Sequence, residues 1–295
     1  MANLDKADSW LRHNGRSIDV ALVQFETTNS VQPVLDALTA YANSDGGFGH
    51  ALEPDVRLSE SSVLATTVAL QTLSRCNQPS SNMLVKKAMG YLEMTFDRAQ
   101  GAWPIVPANV GDAAHAPWWR VRYVGECLIN PRAEVIGYMY RWPELCDLEI
   151  RGKLNDQLMS TLAAANSLEM HDILVFDRMV RSLNYPVDQF EKTIKRLYAL
   201  AGSAISVNPP EWAAYGLTPL SLIDDPSHLL APRFRDALKL NFEFLSDTQN
   251  EDGSWSPSWS WHGTYADEWP EAEKDMKSFV TRESVNLFRR FEGLR

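Results

Sequence analysis

Between residues 111 and 119 the chain reads Gly-Asp-Ala-Ala-His-Ala-Pro-Trp-Trp. It sets one carboxyl among alanines, an imidazole three residues on and two indoles after it. No other Asp or Glu in the chain combines so apolar a local sequence with a neighbouring histidine. Burial in apolar surroundings disfavours the carboxylate and keeps a transferable proton on the acid. The residues therefore suggest a proton donor, Asp112, with His115 orienting it or relaying its replacement proton. The plainer alternative is local: Asp112 caps the helix after it, and His115 hydrogen-bonds its own loop.

Aromatic residues form the second group. Seven of the ten tryptophans (Trp118, Trp119, Trp212, Trp255, Trp259, Trp261 and Trp269) lie in or beside segments that contain Pro or Gly. An aromatic face stabilises a nearby cation by about 0.5–2 kcal/mol without offering a nucleophile to trap it. Trp118, Trp119, Trp212, Trp259, Trp261, Tyr265 and Trp269 are the expected lining of such a pocket. Trp103 and Trp255 are expected to pack their turns instead. Asp55, Asp267 and Glu268 bring further acids to the same kind of loop.

Several chemistries find no support. There is no GxSxG, HExxH, phosphate-binding glycine loop or DDxxD. The three cysteines are odd in number and widely spaced, so neither a disulfide framework nor a zinc site is expected, and the cysteines are read as buried thiols. No metal and no cofactor are predicted. Acidic groups outnumber basic ones 38 to 28 without a Lys/Arg cluster, which argues against nucleic acid as a partner. The apolar runs are too short to span a bilayer and the N-terminus lacks a signal-peptide core, giving a cytoplasmic expectation.

The elements that must position these residues read as helices. In 59–73, Val63, Leu64, Thr67, Val68 and Leu70 form one apolar stripe behind a run of serines suited to capping. Comparable stripes fill 34–42, 83–96, 153–168, 173–183, 187–200, 231–245 and 272–291. No stretch alternates as a strand would. The expectation is an all-α protein of one domain, 1–295, with two tightly docked domains as the alternative.

A repeat emerges from the breaks between stripes. Asp45-Gly46-Gly47-Phe48, Gln100-Gly101-Ala102-Trp103 and Asp252-Gly253-Ser254-Trp255 share the order polar, Gly, any, aromatic, at spacings of 55 and 152 residues, the latter close to three times 51. A unit near 50 residues holds two helices and their loops, so the chain accommodates about six helical pairs. The third tag is the fullest: Phe244-Leu245, then Gln249, then Gly253-Ser254-Trp255. It resembles the QW motif of the squalene–hopene and oxidosqualene cyclases. In the other two copies Ala42 and Phe96 stand near the glutamine position.

That resemblance implies an (α/α)6 toroid, closest in plan to the single-domain class II cyclases of prenylated aromatic compounds. It also implies that four loops, 49–57, 104–119, 208–217 and 256–270, gather on one rim. Class II cyclases protonate an alkene or epoxide, which gives Asp112 and His115 their roles and makes Asp55, Trp118, Trp119, Trp212, Trp261 and Tyr265 the substrate-binding set. The family's DxDD acid motif is absent here; Asp224-Asp225 precedes Pro226 and reads as a turn with a helix cap before Leu229. The implied partner is a hydrophobic polyprenoid or prenylated aromatic substrate, which contact with a membrane surface would help to collect. A carbohydrate-active (α/α)6 enzyme and a non-catalytic lipid- or protein-binding toroid are the alternatives. Should Asp112 not be the acid, Asp55 and Asp267 come next.

Overall fold

The computed structural model describes residues 2–292, and the described residues form twelve α-helices and no β-strand. The all-α expectation holds. Three helices open the chain: α1 (Leu4–Asn14), α2 (Ser17–Thr28) and α3 (Gln32–Thr39). Six more make up the middle: α4 (Val63–Arg75), α5 (Met83–Thr95), α6 (Arg132–Arg141), α7 (Leu148–Ala164), α8 (Met170–Val180) and α9 (Glu191–Ala204). The last three are the short α10 (Pro219–Leu222), α11 (Arg235–Asp247) and α12 (Trp269–Arg290). No described helix is long and apolar enough to cross a membrane.

Local chemistry explains the starts. Ser62 Oγ accepts from Ala65 N at 2.9 Å at the head of α4, and Asn82 Oδ1 accepts from Leu84 N at 2.8 Å before α5. Asp147 Oδ1 takes both Glu149 N and Ile150 N before α7. Each cap satisfies donors that a helix N-terminus leaves unpaired. Asp225 does form the expected turn, accepting from Ser227 N at 2.7 Å, but the helix beyond it starts only at Arg235.

The helices group into two compact units. The terminal unit is Met1–Leu38 with Ile205–Arg295, and the central unit is Thr39–Ala204. In the terminal unit α1 and α2 pack on α12, and α10 packs on α11. Phe242 meets both Phe288 and Phe291 with ring centroids 5.2 and 5.3 Å apart, and Trp255 lies over Phe288 at 6.0 Å. In the central unit α6 packs on α7 and α8, α9 packs on α7 and α8, and α4 packs on α5. Leu70, Leu73, Leu92, Ile136, Leu158 and Phe176 are buried there.

The first and third tags have one geometry, once in each unit. Asn43 N donates to Gly47 O and Asn250 N to Ser254 O, both at 2.9 Å. Asp45 Oδ1 accepts from Gly47 N, as Asp252 Oδ1 does from Ser254 N. Phe48 N donates to Thr66 Oγ1 on α4 and Trp255 N to Thr281 Oγ1 on α12. Gly46 and Gly253 both have φ 94°, and a Cβ on either would fall within 2.7 Å of helix backbone, Lys87 O in α5 and Lys6 C in α1. Glycine is needed at both on two counts.

Gln249 explains why the third tag is the fullest. Its Oε1 accepts from Asn3 N at 2.7 Å, while its Nε2 donates to Asn3 O and to Gly253 O. The side chain thus ties the tag to the residue that caps α1. The second tag shares the indole anchor: Trp103 Nε1 donates to Leu92 O at 2.6 Å, as Trp255 Nε1 does to Leu245 O at 2.7 Å. The expectation that both indoles pack their turns holds.

Candidate functional site

In the central unit two of the predicted loops pair. Arg57 N donates to Ala114 O and Ala116 N to Asp55 O, both at 2.8 Å, around an antiparallel bridge between Val56 and His115. Side chains alternate across such a pairing, and the two bridged residues share a face. Val56 and His115 therefore lie on one side, and Asp55, Arg57, Ala114 and Ala116 on the other. Val56 joins an apolar cluster with Leu58, Ile105, Val106, Val110 and Cys127, against which Trp119 packs. Asp55 is buried at 6% exposure, and the alanines on its face are buried too.

The 49–57 loop reaches this pairing by an unusual path. His50 and Ala51 are successive left-handed residues, at φ 53° and 59°. Gly49 before them passes so close to the chain that a Cβ would sit 2.3 Å from the backbone oxygens of Ser59 and Glu60. His50 Nε2 lies 2.9 Å from Asn43 Oδ1, fastening the loop to the first tag.

Asp112 is not in this buried group. It ends a short 3-10 turn, Val110–Asp112, and is exposed, so the dry surroundings expected of a proton donor are missing. That expectation is corrected: flanking alanines do not bury a side chain that the turn directs to solvent. His115 is half-buried, with Nδ1 2.8 Å from Ala113 O. A carbonyl only accepts, so Nδ1 carries the proton and His115 is fastened to its own loop, as the plainer reading held. Trp118 is 40% exposed, whereas Trp119 is half-buried and its indole N–H is enclosed without an acceptor.

The other predicted aromatics belong to the terminal unit. Trp261 is fully buried, with Tyr265 at 6.2 Å and Trp269 at 5.5 Å between ring centroids. Trp212 is also buried; its Nε1 donates to Ser206 O at 2.9 Å and its ring meets Phe244 edge-on at 5.8 Å. Tyr215 and Trp259 form a further pair at 5.5 Å. The structure thus brings Asp55, His115 and Trp119 into one loop cluster, and Trp261 and Tyr265 into another. Asp112 and Trp118 stand at the surface.

Sequence reasoning missed three buried carboxylates. Glu134 Oε1 accepts from Tyr138 Oη at 2.5 Å and Oε2 from Arg178 Nη1 at 3.0 Å. Asp177 accepts from Tyr198 Oη and Arg181 Nη1, each at 3.0 Å. Asp19 takes Arg16 Nε and Ser278 Oγ at 2.7 Å, with Arg282 Nε at 2.9 Å. The i,i+4 spacing of Glu134 with Tyr138 and of Asp177 with Arg181 was the available signal. Arginine partners brace all three in the core. Asp172, at the head of α8, differs: burial, and then the charge of Glu169, push it up to about 6.

The central unit also has a small cleft of about 30 Å³. Its walls include Met89, Leu92, Phe96, Trp103, Val135 and Met139, and none of the predicted site residues. No protein-family model and no curated protein matches the chain.

Proposed function

We propose that the chain is a protonation-initiated cyclase of a linear or aryl-linked polyprenoid, built as one (α/α)6 toroid over residues 1–295, with Asp55 as its acid. The scaffold reading is supported by the two tag loops of identical geometry and by the Gln249 side chain that ties a tag to the cap of α1. The observation that carries the chemistry is the burial of Asp55 on the side of the paired loops that it shares with Arg57, Ala114 and Ala116. Burial keeps bulk water from the carboxyl, as delivery of a proton to a weakly basic alkene requires.

In this reading the Asp55 proton bonds to one alkene carbon and leaves a cation on the other. The π electrons of the next alkene close the ring, and the final cation loses a proton or is captured by the aryl group. A proton from solvent restores Asp55, so the reaction is a net isomerisation. Aromatic rings facing the bound polyene would steady the cation and keep water away. His115, fastened through Nδ1, would act by positioning the 113–116 segment against Asp55.

The test incubates the protein with farnesyl- or geranylgeranyl-bearing aromatic substrates in deuterated water and looks for cyclic products carrying one new deuterium. Asp55→Asn keeps the shape of the side chain and removes the transferable proton, so turnover should fall by orders of magnitude while binding largely survives. Asp112→Asn should leave turnover intact. Full activity of the Asp55 variant, or no cyclic product from the wild type, overturns the reading.

A further inference from the structure

Arg120, Val121 and Arg122 belong to no helix or turn, and one edge of their backbone is unused. Residues 119–123 run on without turn or bend, and Tyr123 at their end is extended, at φ −61° and ψ 134°. In an extended chain the N–H and C=O groups of alternate residues point to the same edge. The edge of residues 119, 121 and 123 serves the protein's own loops. Trp119 N donates to Ala116 O at 3.0 Å, Tyr123 N donates to Glu126 Oε1 at 3.1 Å, and Tyr123 O accepts from Glu126 N at 2.9 Å. On the other edge, the N–H and C=O of Arg120 and Arg122 make no hydrogen bond among the described residues. Such a row of open donors and acceptors is what a sheet edge presents to an incoming chain.

Both ends of the stretch are anchored. Trp119 packs on the apolar cluster of Val56 and Ile105, and Cys127, just beyond, is fully buried in it. Arg120 Nη2 donates to Glu126 Oε2 at 3.1 Å, and the Tyr123 ring lies over Gly125, where an added Cβ would fall 2.6 Å from its Cε1. What these anchors leave outside is apolar and cationic. Val121 is 52% and Tyr123 66% exposed, Trp118 and Leu128 are exposed beside them, and the exposed Arg120 and Arg122 alternate with them. Glu126 balances Arg120, whereas Arg122 forms no ion pair among the described residues. Its charge reaches His171 and Asp172 of α8 without an ion pair to either. Tyr, Trp and Arg are the residue types that carry most of the energy at protein interfaces. In a chain of net charge −10, a local cationic excess fits an acidic partner.

We propose that residues 119–123 are a docking strand for an acidic segment of a partner protein, added as an extended chain along the Arg120–Arg122 edge. The main chain of that segment meets the open N–H and C=O groups of Arg120 and Arg122. Side chains alternate along a strand, so the matching segment carries an acid at every second position, opposite Arg120 and Arg122, with apolar residues between them, opposite Val121 and Tyr123. Asp55 and the cyclase chemistry play no part in this docking.

Fluorescence anisotropy of a labelled Glu-Val-Glu-Val-Glu-Val peptide titrated with the full chain tests it. The acidic peptide should bind at least tenfold more tightly than its Lys-Val counterpart. The same acidic peptide with every amide N-methylated keeps its charge and loses its backbone donors, and it should bind at least tenfold more weakly. Arg122→Glu changes an exposed side chain and should reverse the preference between the acidic and basic peptides. Binding of neither peptide, equal binding of both, undiminished binding of the N-methylated form, or a preference that survives Arg122→Glu overturns the proposal. So does binding to phosphatidylserine vesicles that the acidic peptide fails to displace, which would assign the surface to lipid.

Discussion

Replacing Asp19 by Asn would probe the most heavily braced charge in the terminal unit. The carboxylate is 1% exposed and accepts from Arg16 Nε and Ser278 Oγ at 2.7 Å and from Arg16 Nη2 at 3.2 Å, with Arg282 Nε at 2.9 Å. Asn keeps the volume and loses the charge, leaving two nearly buried guanidinium groups facing a neutral amide. Removing one partner of a buried ion pair costs about 3–5 kcal/mol. That is a large part of a total stability of about 5–15 kcal/mol. At roughly 2–4 °C per kcal/mol for a large domain, Tm should fall by about 6–20 °C. Burial alone would push the Asp19 carboxyl up, but the charges of Arg16 and Arg282 and the hydrogen bonds of Arg16 and Ser278 outweigh it and hold the group below its usual range. Its contribution is therefore present above the ordinary aspartate value and is lost as pH falls through the lowered folded one. Urea melts of wild type and Asp19→Asn at pH 7 and in acid would show a gap that narrows on acidification. A loss under about 1 kcal/mol at pH 7, or a gap constant with pH, refutes the reasoning.

Three further outcomes are expected from the geometry. Gly253→Ala should lower stability by more than the roughly 1 kcal/mol of an ordinary glycine change, because φ is 94° and the added Cβ meets Lys6 backbone at 2.6 Å; denaturant midpoints check it. Asp172→Asn should raise Tm at pH 7–8 and leave it unchanged near pH 3, since a carboxyl pushed up to about 6 is costly to ionise in the folded chain and is protonated in both states in acid. The Cys146 thiol, pushed up by burial, should react with a disulfide reagent more slowly than an unfolded-chain thiol at pH 8 and gain rate as pH rises past the usual thiol range.

Much of the helical plan was legible because one face of most helices is buried and the other wet. The stripes at 63–75, 83–95 and 235–247 emerge with starts within a few residues of those read from periodicity. Helix α6 was not, and the reason is physical: eight consecutive residues, Arg132–Met139, are buried, including charged Arg132 and Glu134, so no face contrasts with another. The short, charged α1 buries only Ala7, Trp10 and Leu11 and gave too thin a stripe. For the site, local composition misled at Asp112, because burial belongs to the fold. Asp55 is enclosed by a pairing with residues some sixty positions away, which no window of sequence contains. The tags were readable because a left-handed glycine and an aromatic anchor leave a signature that spans only a few residues.

The terminal unit is assembled from both ends of the chain, and that orders events on the ribosome. Helices α1 and α2 leave the ribosome well before α12, on which they pack, and before Gln249, which holds the α1 cap. At about 5–20 residues per second, the nascent Trp10, Leu11, Ile18 and Leu22 wait on the order of ten to fifty seconds for their partners. The continuous stretch Thr39–Ala204 has all of its own partners within reach far earlier. Vectorial synthesis thus favours completing the central unit while the first forty residues are still unpartnered, and it makes those residues the stretch most exposed to chaperones or misassociation.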